Sequence, residues 1–318
     1  DSKEELQTNI EAIKKILEPF DLFKPAYFTD KPEEYSKYWA IRAGIFPSVG
    51  GTRPLGTTVL MEDVAFHIEN LPEATADLAE MLERYAYDDA CIYGHALEGN
   101  YHFIISQSFD SDENVERYKN LMKEVEHLVV DKYDGSLKAE HGTGRNMAPF
   151  VKAEWGEKAF NIMTRVKSLF DPKNLLNPGV IFNDDPECYV KNIKPLPLAN
   201  PLVDRCIECG FCERNCLTCG LTLSSRQRIV VQREISRLRS SGENPARLKS
   251  LESAFYKLGV SSCAGDGLCS TSCPMNINTS ELVHELREAK LPKGSLGYKT
   301  GDFVANHFAG IKSAMRPM

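Results

Sequence analysis

A chain of 318 residues is long enough for two domains, each with its own core. Its 26% charged and 42% hydrophobic residues are those of a soluble globular protein, and a net charge of −7 argues against nucleic acid, whose recognition needs basic patches. No apolar run approaches the roughly 20 residues that span a bilayer, and none reads as a signal peptide. The expected location is therefore cytoplasmic, or peripheral at the inner face of a membrane through a partner.

The chain opens directly into an amphipathic helix, with Leu6, Ile10, Ile13 and Leu17 at helical spacing. With no initiator Met before it, this start is expected to be a cut through a longer polypeptide. Between about 57 and 139, strand and helix signals alternate. Thr57-Thr58-Val59-Leu60 is β-rich, and a helix is expected from Pro72 to Arg84. Residues 90–93 and 101–106 read as a hairpin around the loop Leu97-Glu98-Gly99-Asn100. A helix over 114–130 and a short strand near 136–139 complete a β-α-β-β-α-β order. The fold class predicted is α+β: a ferredoxin-like antiparallel sheet covered by helices, then a mostly helical domain. Residues 155–170 form a further helix stopped by Asp171-Pro172, and 183–201, rich in Pro, Asn and Asp, read as a linker. The expected division is 1–183 for the sheet domain, 184–201 for the linker and 202–318 for the helical domain. Helices are expected there over 225–239 and 245–258, and the tail from about 292 is glycine-rich and weakly patterned.

The cysteines carry the most specific pattern. Eight of ten lie between 206 and 273: seven in the runs Cys206-x2-Cys209-x2-Cys212-x3-Cys216 and Cys263-x5-Cys269-x3-Cys273-Pro274, and Cys219. Thiolates three residues apart let one tight loop place three sulfurs around a single iron–sulfur cube, and the fourth cysteine of such a run serves the other cube in two-cluster ferredoxins. The two runs predict two clusters with exchanged ligands: Cys206, Cys209 and Cys212 with Cys273, and Cys216 with Cys263 and Cys269. Structural zinc also uses Cys-x2-Cys, but as paired knuckles rather than a run of this rhythm. Disulfides fit worse, since a chain of this size needs no staples. In the second run Asp266 stands where the rhythm needs a cysteine. Three completions stay open: Asp266 on one iron, nearby Cys219, or a cluster lacking one iron.

A second constellation is made of His and Glu. His95 and His102 flank the hairpin turn, and a loop over 97–100 sets them opposite each other on one face. Glu140-His141-Gly142-Thr143-Gly144-Arg145 adds a carboxylate and a third imidazole. A lone histidine is more often a hydrogen-bonded structural residue, but this grouping at strand ends beside glycines points to a site.

These segments, with Asp171-Pro172-Lys173-Asn174-Leu175-Leu176-Asn177-Pro178-Gly179, resemble the substrate-capping C-terminal half of FAD-linked 2-hydroxyacid oxidoreductases. That vanillyl-alcohol-oxidase-like group includes D-lactate, glycolate and D-2-hydroxyglutarate dehydrogenases. The cysteine domain, with Cys206-Ile207-Glu208-Cys209-Gly210-Phe211-Cys212 and Ser224-Ser225-Arg226-Gln227-Arg228-Ile229, resembles the iron–sulfur extension of larger bacterial members. The resemblance implies that His95, His102 and Glu140 hold a divalent metal, zinc or similar, and that His141 is the general base. It implies that Arg42 binds a substrate carboxylate, while Asn100 and Arg145 line the flavin side. The implied partners are a small 2-hydroxy acid and an electron-acceptor protein or quinone pathway. The family's FAD-binding domain has no counterpart here, so the chain is expected to be part of a larger enzyme and inactive alone. An alternative from another class is a non-catalytic electron-transfer subunit whose His/Glu cluster is a structural metal site.

Overall fold

The computed structural model describes residues 2–193 and 195–314. The chain forms two compact units, the first ending at Phe46 and the second beginning at Pro47. In the first, α1 (Lys3–Leu17) starts at a capping box: Ser2 Oγ accepts from the Glu5 N–H at 3.1 Å, and the Glu5 carboxylate accepts from the Ser2 N–H. The division falls inside α2 (Pro32–Thr52), at Pro47, which has no N–H to donate to a helical carbonyl.

The second unit contains a three-stranded antiparallel sheet in the order β1 (Thr58–Ala65), β3 (Asn100–Gln107), β2 (Cys91–His95). Between β1 and β2 runs α3 (Leu71–Arg84), and after β3 comes α4 (Asp112–Glu126), capped by Ser111. Side chains alternate across a strand, so one face of the sheet carries Val64, Phe103 and Ile105, all fully buried. They form one core with Leu78 of α3 and Leu121 and Val125 of α4. The expected fourth strand is reduced to a single bridge, Ala65 to Ser136. The chain turns away there because the following residues, 139–142, are drawn to the other face of β1.

The hairpin also corrects the sequence reading. Its connection is Ala96-Leu97-Glu98-Gly99, a 3₁₀ turn closed by Gly99 at φ 66, a backbone angle that strains any other residue. The turn comes one residue earlier than expected, so His95 pairs with Asn100 and His102 with Tyr93. The two histidines are diagonal neighbours on one face rather than directly opposed.

After α5 (Val151–Phe170) the chain passes through 183–201, the segment read as a linker. It is irregular but not loose: Tyr189 is buried against Tyr118 and Phe150, with ring centroids 6.3 and 5.2 Å away. The helical region follows, with α6 (Ser225–Ser241), α7 (Pro245–Phe255) and α8 (Thr279–Glu288). Its two cores are small: Val203, Ile229, Ile277 and Leu282 in one, Ile235, Phe255, Val260 and Val283 in the other. Cores of this size call for another cross-link, such as a metal cluster. The glycine-rich tail forms two helices, Leu296–Asn306 and Phe308–Ala314. No helix among the described residues is long and apolar enough to cross a membrane.

Asp171 stops α5 and organises the turn behind it. Its carboxylate accepts from the N–H groups of Leu175 and Leu176, both at 2.9 Å, and from Lys167 Nζ at 2.5 Å. Those donors, Lys167 first, hold its pKa down to about 2. A carboxylate depressed in the folded state contributes fully above its ordinary value near 4 and loses that contribution as the pH falls toward 2. The stability difference between wild type and Asp171→Asn should therefore be constant above about pH 4 and shrink toward pH 2. A difference that persists unchanged to pH 2 in denaturant unfolding would contradict this assignment.

Candidate metal centre and cluster cradles

The face of the sheet away from the helical core is polar at one end. Asp63, Asn100, His102, Tyr93 and His95 share it through the pairings Asp63 with His102, Tyr93 with His102 and His95 with Asn100. The loop at Glu140 and His141 is fastened over it. Glu140 Oε1 lies 2.9 Å from His102 Nε2 and 3.5 Å from His95 Nε2. The ligand atoms of His95, His102 and Glu140 all lie within 4.8 Å of one another. The His141 ring stacks on His102 at 4.8 Å, almost parallel, and is 39% exposed, whereas His102 is buried. Burial holds the His102 pKa below its ordinary value, against the pull of nearby Asp63. A neutral imidazole is the form that binds a metal.

Asp63 is the residue that sequence reasoning missed. It has no exposed surface, yet it is charged. Oδ2 accepts from the N–H groups of Glu140 and His141, both at 2.8 Å, and Oδ1 accepts from Asn100 Nδ2 at 2.6 Å. Burial alone would raise its pKa, but these donors outweigh burial and lower it. A second set of ligand-type atoms, Asp63, His102 and His141, also converges. It is the poorer ligand set, because both Asp63 oxygens are already hydrogen-bonded. The available signal was Glu62-Asp63 inside an otherwise apolar strand, since carboxylates there must find partners. Glu62 points to the opposite face, where Lys138 Nζ at 2.7 Å, Asn146 Nδ2 at 2.9 Å and Tyr118 Oη at 3.3 Å donate to it.

Of the remaining predicted residues, Asn100 shares this face, while Arg145 and Arg42 make their contacts elsewhere. Asn100 is buried, with its amide donating to Asp63 and to the Val64 carbonyl at 3.1 Å. Arg145 donates to the Pro178 carbonyl at 3.2 Å, tying the 140–145 loop to the turn after α5. Arg42 belongs to the first unit, on α2, with its guanidinium 5.9 Å from the Trp39 ring centroid.

The cysteines gather into two cavities. Cys206, Cys209, Cys212 and Cys273 line one; Cys216, Cys263 and Cys269 line another, together with Asp266. Cys219 is exposed and lines neither. The two loops repeat one design. Gly210 at φ 84 and Gly267 at φ 74 each begin a 3₁₀ turn, Phe211–Asn215 and Leu268–Ser272, that delivers the next cysteine. Asp266 stands in the second loop where Cys209 stands in the first. α6 begins beside both cavities, with Ser224 capping its end by accepting from the Gln227 N–H at 3.2 Å. Burial pushes the Cys206 thiol up to about 11 and Cys212 upward as well. Cys216 is lowered instead: burial pushes it up, but donors from Thr218 and Arg228 outweigh that. Converging, mostly half-buried sulfurs in two separate cages fit iron–sulfur clusters, whose iron stabilises the thiolate form that burial opposes.

Residues 1–181 match the family described as FAD linked oxidases, C-terminal domain, and residues 202–277 match the 4Fe-4S dicluster domain. The glycolate oxidase subunit GlcD of Bacillus subtilis is 30% identical over 135 residues, 41% of this chain and 27% of that protein. A mitochondrial D-lactate dehydrogenase [cytochrome] of Arabidopsis thaliana is 28% identical over 153 residues, 48% of this chain and 26% of that one. D-2-hydroxyglutarate dehydrogenase of Stutzerimonas stutzeri is 26% identical over 153 residues, 47% of this chain and 32% of that one. The aligned parts thus span about a quarter to a third of these curated relatives. With the sheet unit and the paired cysteine cages in place, the chain belongs to the family of FAD-linked oxidases, through their C-terminal domain, joined to a 4Fe-4S dicluster domain.

Proposed function

We propose that this chain is the substrate-side and electron-relay part of a flavin-dependent D-2-hydroxyacid dehydrogenase, which oxidises a 2-hydroxy acid to a 2-oxo acid. The observation that carries this reading is the convergence of His95, His102 and Glu140 beside an exposed, stacked His141. In this reading the three ligands hold a divalent ion, zinc or similar. His102 Nδ1 lies 3.6 Å from Asp63 Oδ1, and a carboxylate is the kind of neighbour that the second nitrogen of a metal-bound histidine faces. When bound, the ion supplies Lewis acidity at the substrate hydroxyl, FAD the hydride acceptor, and the clusters one-electron transfer.

The rest is the work of side chains. His141 takes the hydroxyl proton at Nε2, while its Nδ1 faces Asp63 at 4.0 Å and its backbone N–H is fixed by the same carboxylate. Arg42 clamps the substrate carboxylate by two parallel hydrogen bonds. Arg145 faces the flavin from the 140–145 loop, and Asn100 acts from beneath through Asp63. Cys206, Cys209, Cys212 and Cys273 hold one cluster; Cys216, Cys263 and Cys269, with Asp266, hold the other. The lining of the two cavities supports this exchange, and supports Asp266 over Cys219.

His102→Ala should strip a divalent ion from the protein, because two remaining side chains hold it too weakly. Metal analysis after gel filtration checks this, and unchanged content would mean the ligands are misassigned. His141→Ala should keep the metal while turnover of the full-length flavoprotein falls by roughly 10²–10⁴-fold. Loss of metal in that variant would instead place His141 among the ligands.

For the clusters, Cys273→Ser should perturb the signal of the cluster bound by Cys206, Cys209 and Cys212 and spare its neighbour. Asp266→Cys should convert the second cluster into a more stable four-iron form. Electron paramagnetic resonance of reduced variants distinguishes these outcomes. A change confined to the cluster of Cys263 and Cys269 in Cys273→Ser would overturn the exchange.

A further inference from the structure

Three guanidiniums are buried around the cysteine cages. Arg228 is 1% exposed and Arg233 2%, both on α6, and Arg53, at 5%, comes from the turn between α2 and β1. Arginine is rarely so buried unless its charge is answered. Arg233 pairs with Glu208 at 2.7 Å, but the hydrogen bonds of Arg53 and Arg228 run to carbonyls, hydroxyls and a sulfur.

Around the first cage, two guanidiniums grip the same short stretch of backbone. Arg53 Nη2 donates to the Cys206 carbonyl at 3.0 Å and Arg233 Nη2 donates to it at 2.9 Å. Both also reach the Asp204 carbonyl, at 3.4 and 3.2 Å, and Arg53 Nη1 reaches the Arg205 carbonyl at 3.1 Å. Two cations sharing acceptors repel each other; Glu208 pairs with Arg233, and the buried Asp204 carboxylate is held by the N–H groups of Ala199 and Asn200. Burial and the charge of Arg233 pull the Arg53 pKa below its ordinary value. Both guanidinium charges lie at the carbonyl of a cage cysteine. The backbone at the end of α2 is equally close. A Cβ on Gly50 would meet Ile207 Cγ2 at 2.8 Å, and one on Gly51 would meet Met275 Sδ at 2.9 Å, so a larger residue at either position would displace a side chain of the cysteine region.

Around the second cage, Arg228 reaches a ligand-type sulfur directly. Its Nη1 lies 3.5 Å from Cys216 Sγ, while Nη2 donates to Thr218 Oγ1 at 2.8 Å and Nε to the Gly259 carbonyl at 2.7 Å. Each cage thus has its own buried cation, and the two come from different parts of the chain.

We propose that Arg53 and Arg228 separately set the reduction potentials of the two clusters, Arg53 with Arg233 raising the first and Arg228 raising the second. This rests on the reading that the two cages hold iron–sulfur clusters. Reduction adds one electron and no proton to a group already anionic from its thiolates, so a fixed buried cation favours the reduced form. A hydrogen bond to a ligand sulfur acts in the same direction. Arg53 is a positioning residue of the segment that matches the oxidase family, yet it fastens the first cysteine loop. Through it, the oxidase segment adjusts the cluster that lies against it.

The test uses the whole chain with clusters reconstituted anaerobically from iron and sulfide, titrated with dithionite and read by electron paramagnetic resonance. The two signals are assigned with Cys209→Ser and Cys263→Ser. Arg53→Gln should move only the cluster of Cys206, Cys209 and Cys212 to a more negative potential, and Arg228→Gln only the cluster of Cys263 and Cys269. Arg53→Lys and Arg228→Lys keep the charge but lose the fork, so each should give a smaller negative shift in the same cluster. Where a Gln variant holds no cluster, its Lys counterpart supplies the reading. Unchanged potentials, or both clusters moving together in each variant, would overturn the proposal while leaving the clusters themselves in place. Wild-type protein that takes up no iron and labile sulfide would overturn the cluster reading, and this inference with it.

Discussion

A carboxylate with no exposed surface must have its charge answered from within the protein, and Asp63 is the point on which the His/Glu cluster depends. Its three donors come from two different segments: Asn100 on β3, and the backbone of Glu140 and His141 in a loop that reaches back over the sheet. Ionised, the carboxylate is a strong acceptor for all three; without it, buried N–H groups would be left unpaired. Two proposed functional residues, Glu140 and His141, are therefore held by their main chains, leaving both side chains free to meet the ring of His102. The fourth expected strand ends after one bridge for the same reason, since the chain beyond Ser136 is claimed by Asp63 rather than by the ladder.

The sheet that carries this network is small, and its two faces do different work. Val64, Phe103 and Ile105 hold the strands to α3 and α4 by apolar burial. The opposite face exchanges that contribution for charged and aromatic groups, which are costly to bury unless each has a partner. Placing the site on paired strands rather than on a free loop fixes His95 and His102 through the ladder itself. Only the Glu140 and His141 segment needs a separate anchor.

The cysteine region solves a different problem. Its apolar cores hold too few side chains to fix three helices and two long loops, so the cages act as cross-links between runs far apart in sequence. The two loops use the same glycine-led turn, but their surroundings differ. The first is clasped by Arg53 and Arg233 through carbonyls, the second touches Arg228 through a sulfur, and Asp266 replaces one thiol. Equal loops in unequal fields are what a relay needs if its two stations are to differ in potential.

Much of this was legible in the chain itself. Cysteine rhythm is a local property: spacing of three residues dictates which sulfurs one loop can present, so the two cages and the place of Asp266 in the second run followed from counting. The helices at the chain's start and over 225–239 were equally local, being marked by apolar spacing and by strong helix formers. The pairing of His95 with Asn100 was not, because a hairpin's register turns on one residue of its loop and a one-residue error moves every partner. Asp63 and the buried arginines were further out of reach. Asp63 finds its main-chain donors 77 and 78 positions away, and Arg53 reaches a carbonyl 153 positions away, groups that every residue possesses, so no residue type marks them in advance. Sequence determined which atoms could bind iron or a divalent ion. Tertiary structure decided which buried charges hold those atoms in place, because only folding brings a distant main chain to a side chain that has lost its water.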